Sequence, residues 1–222
     1  MMRSRWMQKA FLLVGTVALA SATACAQTDL ALNVYGAFNG TTNGNNTIQS
    51  PSNAAGALLE VRHISKPWFG YEGTYAYNRA NQKYSFSAVP GACPTPPGNC
   101  GTVSGAISAN AHEVTGDYLA SLKLANLRPF ALVGGGLLLD VPSSGQTYCG
   151  SLSNCSSVPT STTTKPVFVY GGGLDWGLLP HIGLRLQYRG NLYKAPDLTN
   201  LFTSTGAFTH TAEPMIGIYF RL

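Results

Sequence analysis

The residues with the clearest chemical potential in this sequence are a closely spaced histidine and serine. His63 and Ser65 form an H-x-S motif, and a serine hydroxyl becomes a nucleophile when a histidine within hydrogen-bond reach accepts its proton. A third group has to orient the histidine, and the sequence offers none near this motif. His112 and Glu113 are adjacent, so in a strand they would point to opposite faces and could not act together. The sequence therefore identifies no catalytic residue.

Two runs of three glycines, at 134–136 and 171–173, could be mistaken for phosphate-binding loops. Neither run continues as G-x-G-x-x-G or ends in G-K-[ST], so neither carries a nucleotide-binding fingerprint. Glycines inside strands let a sheet bend or let a bulky neighbour lie over the backbone. We therefore expect a structural role for both runs and no bound cofactor.

Four cysteines follow residue 26, in two close pairs within segments rich in Gly, Pro, Ser and Asn. In an exported protein this spacing predicts two local disulfides, Cys93–Cys100 and Cys149–Cys155. Other connectivities are open, and a zinc site of four thiolates is the metal alternative, although structural zinc sites usually use C-x₂₋₄-C spacing. Small rings close little chain entropy, so such bridges would stiffen loop tips more than stabilise the fold.

Residues 1–26 have the organisation of a secretory signal. Three basic residues precede an apolar run at 10–20, and Ala24-Cys25-Ala26 is an A-x-A cleavage site. The apolar run is shorter than the ~20 residues that a spanning helix needs, which disfavours a membrane anchor. A lipoprotein modified at Cys25 is the weaker alternative. We predict a signal peptide at 1–26 and a single domain at 27–222.

Cleavage would change how the charge of the protein is interpreted. The whole chain has 14 basic and 9 acidic residues and a pI of about 9.0. Arg3, Arg5 and Lys9 leave with the signal, so the mature chain keeps 11 basic and 9 acidic residues. It contains no Lys/Arg cluster, and we expect no nucleic-acid partner.

After residue 26 the dominant pattern is a two-residue alternation of apolar and polar side chains, and no apolar stretch reaches 18 residues. This period is typical of strands with two different faces, and it argues against a helical membrane protein. The alternation predicts eight strands, at 29–38, 55–63, 68–78, 111–122, 128–141, 167–178, 183–189 and 213–222. The fold class is therefore all-β.

The connections between these strands alternate in length. Those at 64–67, 123–127 and 179–181 are tight, whereas the connections at 39–52, 78–110, 142–164 and 191–208 are long and polar. Short turns at one end and long loops at the other are typical of an antiparallel up-and-down transmembrane barrel. A soluble β-sandwich is the competing fold, because alternation alone does not exclude it.

The distribution of charge between the two faces favours the barrel. Seven of the nine acidic residues and four arginines fall on the face opposite the apolar one, and a narrow barrel would enclose that face. The near balance of signs suggests that these charges pair across the lumen, because buried charges need partners. The predicted interior charges are Glu60, Arg62, Glu72, Glu113, Asp117, Asp140, Asp175, Arg185, Arg189, Glu213 and Arg221.

The C-terminal segment carries a resemblance to a known family. Residues 215–222 resemble the terminal signal that the barrel assembly machinery reads, with Gly217 in place and hydrophobic Phe220 and Leu222 at the sixth and eighth positions. The segments 128–136 and 170–189 also resemble the small-barrel family typified by outer-membrane protein A. The resemblance extends over essentially the whole mature chain.

The resemblance implies a bacterial outer-membrane location, contact with membrane lipid and lipopolysaccharide, recognition by the barrel assembly machinery and a monomeric state. It implies little about function, because this family includes adhesins, tethers, small pores and lipid-modifying enzymes. Eight strands leave an interior just wide enough for side chains, so a salt-bridged plug is favoured over a channel. The resemblance also implies that the short turns are periplasmic and the long loops extracellular. His63 and Ser65 would then lie at the periplasmic end, far from the lipid A of the outer leaflet.

We therefore expect a structural or surface-interaction role without catalysis. A lipid-modifying enzyme and a small porin are the alternatives. The long loops are the candidate recognition elements, because loops on a rigid scaffold commonly carry binding residues.

Overall fold

The computed structural model describes residues 27–66, 68–86, 103–143, 147–149, 155–157, 159–199 and 202–222. The described chain is built from strands that form a single sheet. Their bounds are β1 Gln27–Asn39, β2 Thr42–Gly44, β3 Thr47–Pro51, β4 Ala54–Lys66, β5 Phe69–Phe86, β6 Val103–Ser121, β7 Leu127–Pro142, β8 Thr147–Cys149, β9 Cys155–Ser157, β10 Thr163–Gly177, β11 Ile182–Lys194 and β12 Phe208–Arg221.

Eight of these strands close into an antiparallel barrel. The neighbours follow the order β1, β4, β5, β6, β7, β10, β11 and β12, and β12 pairs back onto β1. Leu30 lies opposite Phe220 in this closing ladder, and Asn39 lies opposite Thr211 at its other end. Closure leaves no barrel strand with an unpaired edge, which is the condition for a sheet to exist in lipid. The predicted eight-stranded up-and-down barrel is confirmed.

The tight connections are also where the alternation predicts them. Leu124 and Leu127 exchange two backbone hydrogen bonds between β6 and β7, and Leu179 and Ile182 do so between β10 and β11. On the opposite side the strands run further than predicted. The region 78–110, predicted as one long loop, contains the last eight residues of β5 and the first eight of β6, which pair from Arg79↔Asn110 to Phe86↔Val103. Arg79, predicted in a loop, therefore lies in a strand.

The two faces of the barrel differ in polarity as the alternation predicts. Apolar side chains such as Leu32, Val34, Val114, Leu137 and Ile216 are exposed on the outer face. Aromatic and histidine rings lie near both ends of this apolar band. On the long-loop side these include Tyr75, Tyr77, His112, Tyr170 and His210, and at the tight-turn end Trp68, Phe69, Tyr118 and Trp176.

A closed barrel with an apolar exterior and charged interior is stable in lipid rather than in water. The chain is accordingly an outer-membrane β-barrel whose outer face contacts lipid. No helix in the described part of the chain is both long and apolar enough to cross a membrane.

The glycine runs fit the structural role expected from the sequence. A side chain at Gly134 would collide with the Asp117 carboxylate, and one at Gly173 would fall 2.7 Å from the ring of Phe130. Both glycines therefore make room for side chains that fill the lumen.

Candidate functional site: the charged lumen

Three arginines occupy the centre of the lumen. Arg62 on β4 and Arg185 and Arg189 on β11 are fully buried. They reach the lumen because each occupies an inward-facing position of its strand, on which every second side chain points inside. A buried guanidinium keeps its charge and can bridge two carboxylates at once, so each arginine can join acids from distant strands.

The lower part of the network joins β4, β5, β10 and β11. Arg62 Nε donates to Glu72 Oε2 at 2.8 Å, and its Nη1 donates to Asp175 Oδ2 at 3.1 Å. Arg185 holds Asp175 in a two-bond contact, with Nε to Oδ1 at 2.6 Å and Nη2 to Oδ2 at 2.9 Å. Both arginines also pair with Glu60. These contacts connect opposite walls of the barrel through its centre.

Aromatic rings complete this lower part. The guanidinium carbon of Arg62 lies 4.0 Å from the ring centroid of Phe130, and that of Arg185 lies 5.2 Å from the ring of Tyr219. A cation over an aromatic face is stabilised by the ring quadrupole, more strongly where water is excluded. The alternation places Tyr219 on the inward face but gives neither ring a role. Phe130 lies an even number of residues from the predicted interior residue Asp140 on the same strand, which could have placed it inside.

Arg189 holds the upper part of the network. Its Nη1 donates to Asp117 Oδ2 at 3.2 Å, and its Nη2 donates to Glu113 Oε1 at 3.3 Å and to the Thr115 hydroxyl at 3.0 Å. Asn191 Nδ2 donates to the other oxygen of Glu113 at 2.8 Å. The arginine therefore ties β11 to β6 above the level of Arg185.

Most of the predicted interior charges lie buried inside the barrel, but two details differ from expectation. Arg221 is half-buried at the periplasmic mouth, where its Nη1 donates to the Pro180 carbonyl at 3.4 Å rather than to a carboxylate. Asp29, which the predicted set omits, is buried and lies 4.0 Å from Arg185.

The near balance of interior charge that the sequence suggested is wrong. Among the residues that the structure describes, three arginines are fully buried, against eight buried carboxylates, namely Asp29, Glu60, Glu72, Glu113, Asp117, Asp140, Asp175 and Glu213. The other described lysines and arginines lie on the outer face or at the barrel mouths, where solvent or lipid headgroups can reach them.

Open space inside the barrel is divided by this arginine network. On the periplasmic side, a chamber of about 350 Å³ is lined by residues that include Asp29, Arg128, Asp175 and Arg221. On the outer side, a much smaller chamber of about 20 Å³ is lined by residues that include Tyr35, Glu113, Asp140, Tyr193 and Glu213. The arginines and their carboxylates fill the lumen between the two.

The outer mouth is covered by chain that folds inward after β11. Tyr84 and Gln49 both donate hydrogen bonds of 3.1 Å to the Pro196 carbonyl, and the ring of Phe202 stacks on Tyr84 with 5.3 Å between centroids. Leu198 is fully buried in the same cluster. Part of the region predicted as a long loop is thus packed into the barrel mouth.

The histidines do not form a catalytic site in the described residues. His63 Nδ1 lies 3.1 Å from the Thr28 hydroxyl, while the Ser65 hydroxyl donates to the Phe69 carbonyl at 3.5 Å, so the two are not paired with each other. His112 contacts the Tyr75 hydroxyl at 2.8 Å. Across the described ranges, no group of three or more His, Cys, Asp or Glu side chains is placed to hold a metal ion.

Several solved structures resemble this fold. The attachment invasion locus protein Ail of Yersinia pestis, in complex with the heparin analogue sucrose octasulfate, matches with a TM-score of 0.48 and 13% identity over 89% of this chain and 99% of its own. Neisserial surface protein A matches with a TM-score of 0.49 and 9% identity over 90% of this chain and 100% of its own.

The outer membrane protein OprG from Pseudomonas aeruginosa matches with a TM-score of 0.48 and 10% identity over 88% of this chain and 96% of its own. No family model and no curated protein matches the sequence. The small-barrel fold rests on the closed sheet described above.

The predicted disulfides are only partly within the described residues. Cys93 and Cys100 lie outside them. The backbone register of β8 and β9 places Cys149 directly opposite Cys155. Opposed residues of an antiparallel pair have Cα atoms roughly 4.5–5.5 Å apart, which is within the range that a disulfide spans.

The C-terminal residues occupy the end of the closing strand. Phe220 is exposed on the outer face opposite Leu30, and Gly217 lies opposite Asn33 on β1. Leu222 is 80% exposed at the end of the chain. A residue larger than glycine at 217 would collide with the Asn33 side chain, so this glycine has a packing role besides any role in assembly.

Proposed function

We propose that this protein is a non-catalytic outer-membrane barrel with a structural and surface-interaction role. The observation that carries the proposal is the combination of a lumen filled by buried arginines with an outer end where strands and loops pack into an ordered layer. A filled lumen argues against transport as the main role, and an ordered layer above the membrane is a scaffold for recognition.

Planar-bilayer recording tests the closed lumen. The purified mature protein should show no discrete conductance steps in 1 M KCl, because Arg62, Arg185 and Arg189 fill the passage between the two chambers. Reproducible single-channel steps that change size in Arg189→Gln would refute the closed lumen and favour the small porin.

A lipid-modifying enzyme is the less supported alternative. His63 and Ser65 are bonded to other partners and lie at the tight-turn end of the barrel. Unchanged lipid A acylation after deletion of the gene would agree with the proposal, and altered acylation restored by the wild type but not by Ser65→Ala would overturn it.

For the interaction partner, the charge of the outer surface favours an anion. Of the nine acidic residues, eight are buried in the lumen and the ninth, Asp197, pairs with Lys165 at 3.2 Å. Arg79, Lys83 and Lys194 are exposed on the outward faces of β5 and β11 at their long-loop ends. Arg79 follows Tyr77 on the same face, and Lys194 follows Leu192. These cations lie just beyond the apolar band, at the level of lipid headgroups.

We infer that these three cations bind phosphate groups of lipopolysaccharide. In the variant Arg79→Gln/Lys83→Gln/Lys194→Gln, affinity for purified lipopolysaccharide in detergent should fall about tenfold, since three exposed ion pairs contribute roughly 0.2–1 kcal/mol each. Lys66→Gln/Lys123→Gln, at the periplasmic end, is the matched control and should bind normally. Equal affinity of both variants would refute the inference.

Assembly and processing complete the proposal. We propose that 1–26 is removed as a signal peptide, that Gly217, Phe220 and Leu222 are read by the barrel assembly machinery, and that the closed barrel is a monomer. Closure of β12 on β1 supports the monomer, because no barrel edge is left to pair with a second copy. The Cys93–Cys100 and Cys149–Cys155 pairings remain predictions about the loop tips.

A further inference from the structure

The chamber at the periplasmic end has a cationic lining that the acids of the chain do not neutralise. Lys123, Arg128 and Arg221 all line this space of about 350 Å³. In the described part of the chain, none of the three forms an ion pair with a carboxylate. The two acids that line the same chamber, Asp29 and Asp175, instead contact arginines of the central network. The chamber therefore contains basic groups that the chain leaves without ionic partners.

Contacts across the mouth bring the two arginines of the chamber toward the same seam. Arg128 begins on β7, which is four strands from β1 in either direction around the barrel. Its Nη2 donates to Gln27 Oε1 at 3.2 Å, and Gln27 Nε2 donates to Asp29 Oδ1 at 2.7 Å. Arg221 on β12 lies directly opposite Asp29 in the closing ladder. Arg128 therefore spans the mouth toward the seam at which Arg221 is anchored.

Both arginines use few of their hydrogen-bond donors within the protein. Among the described residues, Arg128 donates to the Gln27 amide, and Arg221 donates to the Pro180 carbonyl at 3.4 Å. A guanidinium group has five N–H donors, so most of those on each arginine are not used by the chain. Both side chains are only partly buried, so a molecule in the chamber can reach them.

We propose that the periplasmic chamber binds a small organic molecule that carries one carboxylate group. A carboxylate matches the planar guanidinium group, because it accepts two parallel N–H bonds from one arginine. The volume of the chamber lies at the lower end of the range for small-molecule pockets. Leu127, Leu178 and Leu179 also line it, so the ligand carries a short hydrocarbon chain beside its carboxylate. The ligand enters from the periplasmic mouth.

The acids of the chamber limit how much negative charge the ligand can carry. Asp29 and Asp175 line the same space as the three cations. They repel a ligand with a single negative charge less than a phosphate group, whose charge at neutral pH is larger. The chamber should therefore prefer a monocarboxylate to inorganic phosphate. This preference distinguishes it from the cations of the outer surface, for which lipopolysaccharide phosphate is the proposed partner.

Isothermal titration calorimetry of the mature protein in zwitterionic detergent at neutral pH tests this site without any variant. Sodium butyrate should bind saturably, whereas butyramide, which has a similar shape without the charge, and n-butylammonium chloride should not. Inorganic phosphate should bind more weakly than butyrate. Equal binding of butyrate and butyramide, or tighter binding of phosphate than of butyrate, would overturn the proposal.

Two arginine variants assign the binding to the chamber. Arg128→Gln and Arg221→Gln should each weaken butyrate binding about tenfold, because each removes charged hydrogen bonds to the ligand. Lys66→Gln is the matched control, since Lys66 is exposed at the same end of the barrel but does not line the chamber, and it should bind butyrate like the wild type. Unchanged affinity in Arg128→Gln, or an equal loss in Lys66→Gln, would place the carboxylate elsewhere and refute the site.

Discussion

Arg185 offers the sharpest test of the lumen, because it is fully buried and serves several carboxylates. It makes a two-bond contact with Asp175, pairs with Glu60, and lies 4.0 Å from Asp29. In Arg185→Ala, Arg62 would be the only arginine of the described residues left within 4 Å of Asp175 and Glu60. Breaking a buried ion pair by removing one partner costs roughly 3–5 kcal/mol, because an uncompensated charge stays in a poorly hydrated space.

The expected change in stability is large enough to measure directly. A loss of 3–5 kcal/mol corresponds to a fall in melting midpoint of roughly 6–20 °C for a chain of this size. The matched control is Arg79→Ala. Arg79 is exposed on β5 and makes only a 3.4 Å contact with the Ser143 hydroxyl, so its removal should change stability by less than about 0.5 kcal/mol.

Heat-modifiable gel migration reports the fraction of folded barrel at each temperature, and urea unfolding in lipid vesicles gives the same ranking at equilibrium. Arg185→Met provides a further variant, because it fills similar space without charge. It should also be destabilised, since the carboxylates remain unpaired. If Arg185→Ala and Arg79→Ala unfold at the same temperature and urea concentration, the lumen is hydrated enough to screen its charges and the burial argument fails.

Three further predictions test other parts of the structure. Phe220→Asp should reduce outer-membrane levels severalfold by quantitative immunoblot, because a charge enters the lipid-facing row, whereas Phe220→Leu should not; equal levels would contradict the placement of β12. Mass mapping of an unreduced digest should yield a Cys149–Cys155 peptide, and a cross-loop bridge would refute that pairing. Gly134→Leu should prevent folding, judged by gel migration, because its side chain would collide with Asp117; normal migration would contradict the lumen packing.

The barrel strands are predictable from the sequence because each presents an apolar row to lipid and a polar row to the lumen. The odd or even position of a residue along such a strand decides its face, and this is enough to place Arg185 and Glu60 inside. The extensions of β5 and β6 are not predictable in this way. In residues 79–86 the outward-facing side chains are polar, and the inward-facing ones, Ala80, Gln82 and Tyr84, are a mixture of apolar and polar. The difference in polarity between the two faces is therefore weak where lipid ends. Residues 79–86 of β5 form a strand because they pair with residues 103–110 of β6 on one side and, in part, with β3 on the other.

The charge balance of the lumen cannot be obtained from parity alone. Parity assigns a residue to a face but not to a height along the barrel, so it counts Arg221 with the interior although this residue lies at the periplasmic mouth. The packing of Pro196 and Leu198 into the outer mouth is also hidden, because a segment without alternation gives no signal for which side chains it buries. Both features depend on contacts between residues far apart in the sequence.

The separation of charge in this protein follows from where the chain has to function. Carboxylates on the outer surface would repel the phosphates of a lipopolysaccharide leaflet, whereas Arg79, Lys83 and Lys194 at headgroup level would attract them. Placing eight carboxylates in the lumen removes that repulsion but concentrates negative charge where water is scarce. Three arginines offset much of it through multiple contacts, and Asp140 and Glu213 remain. The surface proposal and the arginine-dependent stability of the lumen are therefore two consequences of one distribution of charge, yet each can fail separately, because one is measured by lipopolysaccharide affinity and the other by the unfolding of Arg185→Ala.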